Sequence, residues 1–193
     1  MREMGVSNKQ ELRSRHLAYR DSLSLSERKE KSTRIWEQLK GEKVYREAVN
    51  ILVYMDYRSE VMTTGLVEEL FTSGKNVFAP KVEGMDIQFY QVKSMDEFAS
   101  GYQGIREPEA NPDKLFDLQR AEEESLILVP LSVFDRKKGR MGYGKGFYDR
   151  YLAAFPMIHS AGLAFACQMA AKVPVEAHDI RPDIIITEKE IIR

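Results

Sequence analysis

One short stretch of the chain, residues 139–150, combines glycine with charged side chains and is the best candidate for chemistry. Three of its glycines stand at alternate positions: Gly142, Gly144 and Gly146. Glycines spaced in this way let the backbone turn tightly and bring several N–H groups close to an anion. Arg140 and Lys145 add positive charge, and a following helix would add the unpaired N–H groups of its first turn. The pattern predicts a loop that binds phosphate.

Two common phosphate-binding motifs differ from this loop. Gly139 to Lys145 satisfies the first part of a Walker A motif, but Gly146 stands where that motif needs Ser or Thr to hold magnesium. The spacing also differs from the G-x-G-x-x-G of dinucleotide-binding folds. A glycine-rich surface turn with solvated charges is the alternative, although a simple turn needs only one or two glycines and each one costs conformational entropy on folding.

Other charged residues have two readings each. Asp149 falls in the first turn of the helix predicted after the loop, where it could hold Mg²⁺, which prefers oxygen ligands, or simply stabilise the helix. Lys9 and Arg13 are four residues apart in a predicted helix and therefore share one face. As a pair they could reach phosphates above the loop. Taken alone, such a pair is more often a solvated helical face.

The chain around these residues alternates between helices and short apolar strands. Ser7 and Gln10 are predicted to form a capping box on a first helix that runs to about Ser22, and Ser26 to cap a second that ends at Gly41. Further helices are predicted at residues 66–71, stopped by Gly74, and 147–154. The predicted strands are residues 51–54, 76–79 (cut by Pro80), 87–92, 126–129, 162–165 and 184–186, and residues 100–111 are predicted to form a long surface loop.

This order of elements predicts one α/β domain over residues 1–193, with a helical N-terminus and a largely parallel sheet covered on both faces. Ligands of such folds bind beyond the carboxyl ends of the strands. The best strand, residues 126–129, leads into the glycine-rich loop, and Glu60 and Met55 follow the first strand. We therefore expect these segments to meet at one edge of the sheet.

Composition excludes several classes of protein. The 193 residues carry 29 Lys and Arg against 30 Asp and Glu, so no excess of positive charge favours nucleic acid. Cys167 is the only cysteine, which rules out a disulfide framework or a thiolate zinc site within one chain and suits a reducing cytoplasm. The first residues lack the apolar run of a signal peptide, and no apolar stretch is long enough to span a bilayer.

Residues 139–152, Gly-Arg-Met-Gly-Tyr-Gly-Lys-Gly-Phe-Tyr-Asp-Arg-Tyr-Leu, closely resemble the signature of the 5-formyltetrahydrofolate cyclo-ligase family, G-x-R-L-G-x-G-x-G-Y-Y-D-x-Y-L. Met141 replaces the usual Leu and Phe147 the first Tyr, and both changes are mild. Weaker matches follow the family's order along almost the whole chain: residues 9–13 (K-x-x-L-R), 26–28 (S-E-R), 60–63 (E-V-x-T), 104–108 (G-I-x-E-P) and 178–183 (H-D-x-x-x-D).

The resemblance implies a three-layer α/β fold with a mixed, mostly parallel sheet, and an ATP- and Mg²⁺-dependent ring closure of 5-formyltetrahydrofolate, with or without a polyglutamate tail. It implies Lys145 and Arg140 as catalytic residues. Further residues are implied to bind ATP: Lys9, Arg13, Arg140, Gly142, Tyr143, Gly144, Lys145, Gly146, Phe147 and Tyr148. The implied folate contacts are Met55, Glu60, Tyr143 and Phe147, and the implied metal ligands are Asp149 and Asp179, with Asp183 in reserve.

Two other functions fit parts of the pattern. A regulatory module could hold ATP in such a loop without chemistry and would need no pterin pocket. A sugar-phosphate isomerase or CoA transferase would share the sheet architecture but would need no ATP. We also expect a monomeric, cytoplasmic protein, with His178 as a hydrogen-bonding loop residue rather than a catalytic base.

Overall fold

A computed structural model gives the backbone of residues 3–122 and 124–193, and the side chains of residues 9–121 and 124–193. The helices are α1 (Glu3–Asp21), α2 (Leu25–Gly41), α3 (Lys43–Glu47), α4 (Thr64–Leu70) and α5 (Phe147–Ala154). The strands are β1 (Asn50–Leu52), β2 (Asn76–Glu83), β3 (Asp86–Val92), β4 (Phe98–Ser100), β5 (Arg106–Pro108), β6 (Ser125–Pro130), β7 (Val133–Phe134), β8 (Arg140–Met141), β9 (His159–Leu163), β10 (Ile184–Ile186) and β11 (Ile191–Ile192).

Seven of these strands form one mixed sheet in the order β11-β10-β9-β6-β1-β2-β3. The five central strands are parallel, and the edge strands β3 and β11 run antiparallel to their neighbours. Two short antiparallel pairs, β4 with β5 and β7 with β8, lie outside the sheet. The predicted mixed, mostly parallel α/β fold is confirmed.

Both faces of the sheet are covered, because alternate residues of each strand pack into different cores. In β6, Leu126 and Leu128 face a core that contains α2 and α4, whereas Ile127 and Val129 face a second core that contains α5. β10 divides in the same way, with Ile185 on the α5 side. The result is three layers, helices on each side of a central sheet.

The helix starts differ from the predictions. α1 is already helical from Glu3, so Ser7 lies inside it and cannot cap it; the side chain of Ser7 lies outside the described residues. Ser24 rather than Ser26 caps α2, since its Oγ accepts from the N–H of Glu27 (3.2 Å) and its own N–H donates to the Glu27 carboxylate (2.8 Å). The N-cap of α2 therefore lies two residues earlier than expected, and it forms a capping box with Glu27.

Pro80 does not end β2, contrary to the prediction. β2 pairs with β1 only over residues 76–78, and beyond that point it pairs with β3 alone. Pro80 therefore occupies a stretch with a partner on one side only, where a missing N–H costs no hydrogen bond to β1. The divergence of β1 from β2 also opens space beyond the end of β1, and Pro80 and Val82 line that space.

Two further differences are small. The strand expected at residues 162–165 is β9, which begins earlier and ends at Leu163, and the expected surface loop at residues 100–111 contains β5 and part of the β4–β5 hairpin. None of the helices in the described part of the chain combines the length and the apolar character that a membrane crossing needs.

Candidate functional site

A cavity of about 610 Å³ lies beyond the carboxyl ends of β1 and β6 and beside the second half of β2. From β1 the chain winds through α4 to β2 on one side, and from β6 through α5 to β9 on the other, so the winding reverses between β1 and β6. Ligands of open α/β sheets bind at such a switch point. Met55, which follows β1, and Pro130, at the end of β6, both line the cavity.

The glycine-rich loop forms one wall of this cavity and is anchored by Asp135. This buried carboxylate follows β7, and its Oδ1 accepts from the backbone N–H groups of Lys137 (2.8 Å) and Gly139 (2.9 Å). Its other oxygen accepts from the N–H of Val173 (2.7 Å). The β7–β8 hairpin is thereby tied to a second segment, and the loop leaves β8 in a fixed direction.

Two glycines of the loop adopt backbone angles that other residues avoid. Gly144 has φ +91° and Gly146 has φ +69°, both in the left-handed region where a side chain is strained. Gly146 immediately precedes α5, so it turns the chain into the helix and leaves the first-turn N–H groups beside the cavity. Gly142, in contrast, has no atom within 4 Å of the position of a Cβ.

α1 lies against the loop and brings its basic face to the cavity. Leu12 packs on a small core under the β7–β8 hairpin that contains Val133 and Met141. This contact leaves Lys9 and Arg13 on the cavity side, and a Cβ on Gly144 would lie 3.4 Å from the Arg13 guanidinium. The face of α1 that Lys9 and Arg13 share therefore borders the cavity and is not simply a solvated helical face.

Opposite charges already pair within the cavity. Lys9 Nζ lies 2.7 Å from Glu176 Oε1 and 3.5 Å from Asp179 Oδ2. Arg140 donates from Nη2 to Asp149 Oδ1 (2.7 Å) and from Nε to the carbonyl oxygen of Ile180 (2.9 Å). The side chain of Lys145 is exposed and makes no hydrogen bond or ion pair with the described residues.

The carboxylates of the cavity could supply part of the coordination shell of a metal ion, with a bound ligand supplying the rest. Asp149 and Asp179 both line the cavity, and within the described residues no group of three or more His, Cys, Asp or Glu is arranged to hold a metal by itself. Mg²⁺ is commonly bound by one or two carboxylates and completes its shell with water and phosphate oxygens. The donor set therefore suits Mg²⁺ together with a phosphate ligand.

Glu60 lies at the other side of the cavity and is 5% exposed. Burial raises the pKa of its carboxyl to about 7. A hydrogen bond from the N–H of Tyr57 (2.9 Å) and the nearby charge of Arg20 favour the charged form and only partly offset the effect of burial. Tyr143 adds a hydrogen bond in the same sense. A buried acid with a strongly shifted pKa in a cavity is a typical candidate for a functional residue.

Aromatic side chains line the cavity between the glycine-rich loop on one side and Glu60 on the other. Tyr143, 40% exposed, lies edge-on to Tyr57 with the ring centroids 6.0 Å apart. Phe147 is edge-on to Tyr102 at 6.3 Å. Tyr148 is partly buried, and burial raises the pKa of its hydroxyl well above the usual value. Flat apolar surfaces beside a carboxylate suit a ligand with aromatic rings and a polar edge.

Every residue proposed from the sequence lines this one cavity, except the reserve ligand Asp183. Asp183 instead precedes β10, where its Oδ2 accepts from the N–H of Ser160 (2.8 Å). His178 lines the cavity but is exposed, with Nε2 3.6 Å from Glu176 and 3.7 Å from Asp179. The structure thus brings the candidate residues together, while their individual roles stay predictions.

Sequence reasoning missed several residues at the site. Arg20 continues the spacing of Lys9 and Arg13 along α1, so the helical period could have found it. Glu107 belongs to the G-I-x-E-P match at residues 104–108, from which no role was predicted for it. It is buried and lines the cavity. The cavity-lining residues of β2 and β3, Pro80, Val82 and Ile87, carried no sequence signal because they read as ordinary strand.

The fold and the cavity define an α/β protein with a glycine-rich loop and an acid-containing pocket at a sheet switch point. The pattern of the 5-formyltetrahydrofolate cyclo-ligase family matches residues 6–188. The chain therefore belongs to the 5-formyltetrahydrofolate cyclo-ligase family, and the expectation of an enzyme of this ligase class is confirmed.

Individual relatives agree with this membership. A "probable 5-formyltetrahydrofolate cyclo-ligase" of Schizosaccharomyces pombe is 30% identical over 77% of this chain and 79% of its own length. The 5-formyltetrahydrofolate cyclo-ligase of Haemophilus influenzae is 31% identical over 70% of this chain and 73% of its own. The solved 5,10-methenyltetrahydrofolate synthetase of Aquifex aeolicus superposes with a TM-score of 0.84 at 33% identity, covering 96% of this chain and 92% of the other.

Proposed function

We propose that this enzyme closes a ring on 5-formyltetrahydrofolate, with ATP and Mg²⁺, to give 5,10-methenyltetrahydrofolate, ADP and phosphate. The observation that carries the proposal is the shared cavity. A glycine-rich loop and the Lys9–Arg13 face of α1 form its phosphate-binding end, and Glu60 with aromatic side chains forms its other end. Family membership supplies the reaction class, and this division supports two ligands bound side by side.

The chemistry explains why two ligands must meet. A formyl amide oxygen is a poor leaving group, and its transfer to phosphorus makes it a good one. In the proposed sequence the formyl oxygen attacks the γ-phosphorus of ATP and ADP leaves. The N10 amine then attacks the formyl carbon, loses its proton, and the carbon–oxygen bond breaks to release inorganic phosphate. One ATP is consumed for each ring closed.

The phosphate end of the cavity would position ATP and neutralise its charge, which is the main requirement of phosphoryl transfer. The exposed Lys145 is free to follow the transferred group, and the loop N–H groups can contact phosphate oxygens. Arg13 and Lys9 would hold the nucleotide from α1. Asp149 and Asp179 would hold Mg²⁺, which when bound withdraws charge from the phosphate oxygens.

The folate end would bind the pterin. Its amide and amine edge presents N–H donors, which Glu60 can accept when its carboxyl is charged. Met55, Tyr143 and Phe147 line the same cavity and offer apolar and aromatic surface to the rings. We further propose that residues 1–193 act as one monomeric, cytoplasmic domain. One sheet carries both cores, the cavity lies within one chain, and the single cysteine suits a reducing compartment.

A spectroscopic assay tests the proposal. Purified protein is mixed with 5-formyltetrahydrofolate, ATP and Mg²⁺, and the ultraviolet absorption of the methenyl product is followed. We expect product in the complete mixture and none when ATP or the metal is omitted. A regulatory module would bind ATP and yield no methenyl product, and an enzyme of the isomerase or CoA-transferase type would show no dependence on ATP.

A further inference from the structure

A buried arginine outside the glycine-rich loop joins both ends of the cavity. Arg20, in the last turn of α1, is 1% exposed. It donates from Nε to Ser59 Oγ (2.9 Å) and from Nη2 to the hydroxyl oxygen of Tyr143 (2.6 Å). Its guanidinium carbon also lies 5.7 Å from the centroid of the Tyr143 ring. A single side chain thereby ties α1 to the segment after β1 and to the loop.

Stability alone is a poor explanation of this arginine. Its third nitrogen, Nη1, is buried and donates to no group among the described residues. A buried charged donor left without an acceptor costs free energy, so an apolar side chain at this position would be no less stable by that criterion. The useful property of arginine here is its planar fork, which reaches two acceptors at a fixed angle.

Both partners of Arg20 adjoin Glu60. Ser59 is the preceding residue, and its hydroxyl donates in turn to Asp21. Because the Tyr143 oxygen accepts from Arg20, the Tyr143 hydroxyl keeps its own hydrogen for another acceptor, and a hydrogen bond from Tyr143 favours the charged form of Glu60. Three charged or titratable groups change the pKa of Glu60: Arg20, Asp56 and Tyr143. The charge of Glu60 in turn raises the pKa values of Tyr54 and Tyr148.

We propose that Arg20 is a positioning residue for the reaction, which orients Tyr143 and Glu60 toward the folate through its two hydrogen bonds. The proposal rests on the proposed function and deepens it. Arg20 does not line the cavity, so it acts on the ligand only through residues that do. Among the charged groups that act on Glu60, Arg20 supplies the positive charge, and Asp56 opposes it.

Steady-state kinetics of three variants test this role. Arg20→Met is expected to raise the KM for 5-formyltetrahydrofolate by roughly tenfold, the effect of losing a hydrogen bond to a charged group, and to leave the KM for ATP unchanged. Arg20→Lys, which keeps the charge and loses the fork, should fall between Arg20→Met and the unaltered enzyme. Arg15→Met is the control, because Arg15 is exposed on the same helix and pairs only with Glu11 among the described residues.

The pH profile of kcat/KM separates positioning from general support of the fold. In the unaltered enzyme, kcat/KM should fall on the acid side of the profile (the acid limb) as the Glu60 carboxyl, with its pKa of about 7, becomes protonated. Loss of the Arg20 charge raises that pKa further, so the limb should move to higher pH in Arg20→Met and stay in Arg20→Lys. A purely structural residue would lower activity at every pH without moving the limb.

Tyr143→Phe keeps the test decisive if Arg20→Met does not fold, since Tyr143 is partly exposed and loses only its hydroxyl. It should raise the KM for the folate, and the effects of Tyr143→Phe and Arg20→Met should be less than additive when combined. An unchanged folate KM in Tyr143→Phe, or an unmoved limb in a folded Arg20→Met, overturns the proposal for Arg20. Absence of methenyl product from the unaltered enzyme would instead overturn the proposed function itself.

Discussion

Arg140 and Asp149 face each other across the base of the glycine-rich loop, with Nη2 2.7 Å from Oδ1. Arg140 belongs to β8, which enters the loop, and Asp149 to the first turn of α5, which leaves it. The ion pair therefore closes the loop at its two ends. The N–H of Ile180 donates to the same Asp149 oxygen (2.9 Å), so the segment that carries Asp179 is held there as well.

Arg140→Gln should damage both stability and activity. The Arg140 side chain is 4% exposed and that of Asp149 18%, and removal of one partner from such a pair leaves a poorly solvated charge. We expect the free energy of unfolding to fall by on the order of 3 kcal/mol. Loss of the loop's geometry should also lower kcat/KM by about a hundredfold. Denaturant unfolding and initial rates measure the two effects.

Arg136→Gln is the matched control for this loss. Arg136 also lies in the β7–β8 hairpin and pairs with Glu190 at 2.9 Å, but its side chain is 66% exposed. An exposed pair contributes little to stability. Equal effects of the two substitutions on unfolding would show that burial of the Arg140–Asp149 pair does not matter.

Lys145→Ala should slow turnover while leaving folate binding and stability nearly unchanged. The Lys145 side chain is exposed and makes no hydrogen bond or ion pair with the described residues, so its truncation removes none of these interactions. Because the transferred phosphoryl group would lose the positive charge of the Lys145 ammonium beside it, kcat should fall by about a hundredfold. Lys137→Ala, which removes an exposed lysine that does not line the cavity, should keep full activity. Unchanged turnover in Lys145→Ala removes Lys145 from the mechanism.

Two glycines of the loop, Gly144 and Gly142, are expected to differ in their tolerance of alanine. Gly144→Ala should cost about 1 kcal/mol of stability because its φ of +91° is unfavourable for a side chain, and it should also lower activity because relief of that strain would shift the loop. Gly142→Ala meets no atom within 4 Å and should fold normally. Thermal unfolding and initial rates compare the two variants.

Gly74→Ala separates strain from function in that comparison. Gly74 has φ +79° and lies away from the cavity, with no atom within 4 Å of the position of a Cβ. It should lose as much stability as Gly144→Ala and keep its activity. If Gly74→Ala were also inactive, the effect of Gly144→Ala could not be assigned to the loop.

Glu60→Gln should stabilise the protein, most strongly at alkaline pH. The folded-state pKa of Glu60 is about 7, above the usual value of 4.5, so the folded protein binds the proton more tightly than the unfolded chain does. The carboxyl therefore destabilises the fold increasingly as pH rises from about 4.5 to 7, and the full cost persists above pH 7.

Thermal unfolding of the Glu60→Gln variant and the unaltered protein at pH 5 and pH 8 checks this sign. The gain in Tm should be larger at pH 8, and folate binding should weaken in the same variant because the amide cannot accept as a charged carboxylate does. A larger gain at pH 5 would contradict the burial of a charged Glu60.

Much of the fold was predictable because local patterns and global packing agree. The apolar run of β6 and the glycine-rich loop before α5 are strong signals, and α5 occupies the predicted residues. The misses within the sheet and the β7–β8 hairpin have other causes. Pro80 is tolerated because β1 has already diverged from β2, and β7 and β8 are too short to give an apolar period.

The site was predictable where a motif is contiguous and obscure where it is assembled in space. Lys145 and its neighbours lie in one run of sequence, so their shared location follows from one loop. Glu107 lines the cavity from the β4–β5 hairpin, and no local pattern distinguishes it from an ordinary loop acid. Arg20 shares the face of Lys9 and Arg13 on α1 without lining the cavity, and the helical period alone does not show which partners it contacts. The Arg140–Asp149 pair was missed for another reason. Each side chain was assigned to a ligand, and their mutual contact depends on the path of the loop between them.

Transfer of an oxygen isotope shows whether the formyl oxygen is phosphorylated during ring closure. The substrate is prepared with ¹⁸O in the formyl group and converted with unlabelled ATP and Mg²⁺, and the released phosphate is examined by mass spectrometry. We expect one ¹⁸O atom in the inorganic phosphate for each ring closed, because the formyl oxygen leaves bonded to phosphorus. Methenyl product formed with unlabelled phosphate would contradict phosphorylation of the formyl oxygen in this cavity.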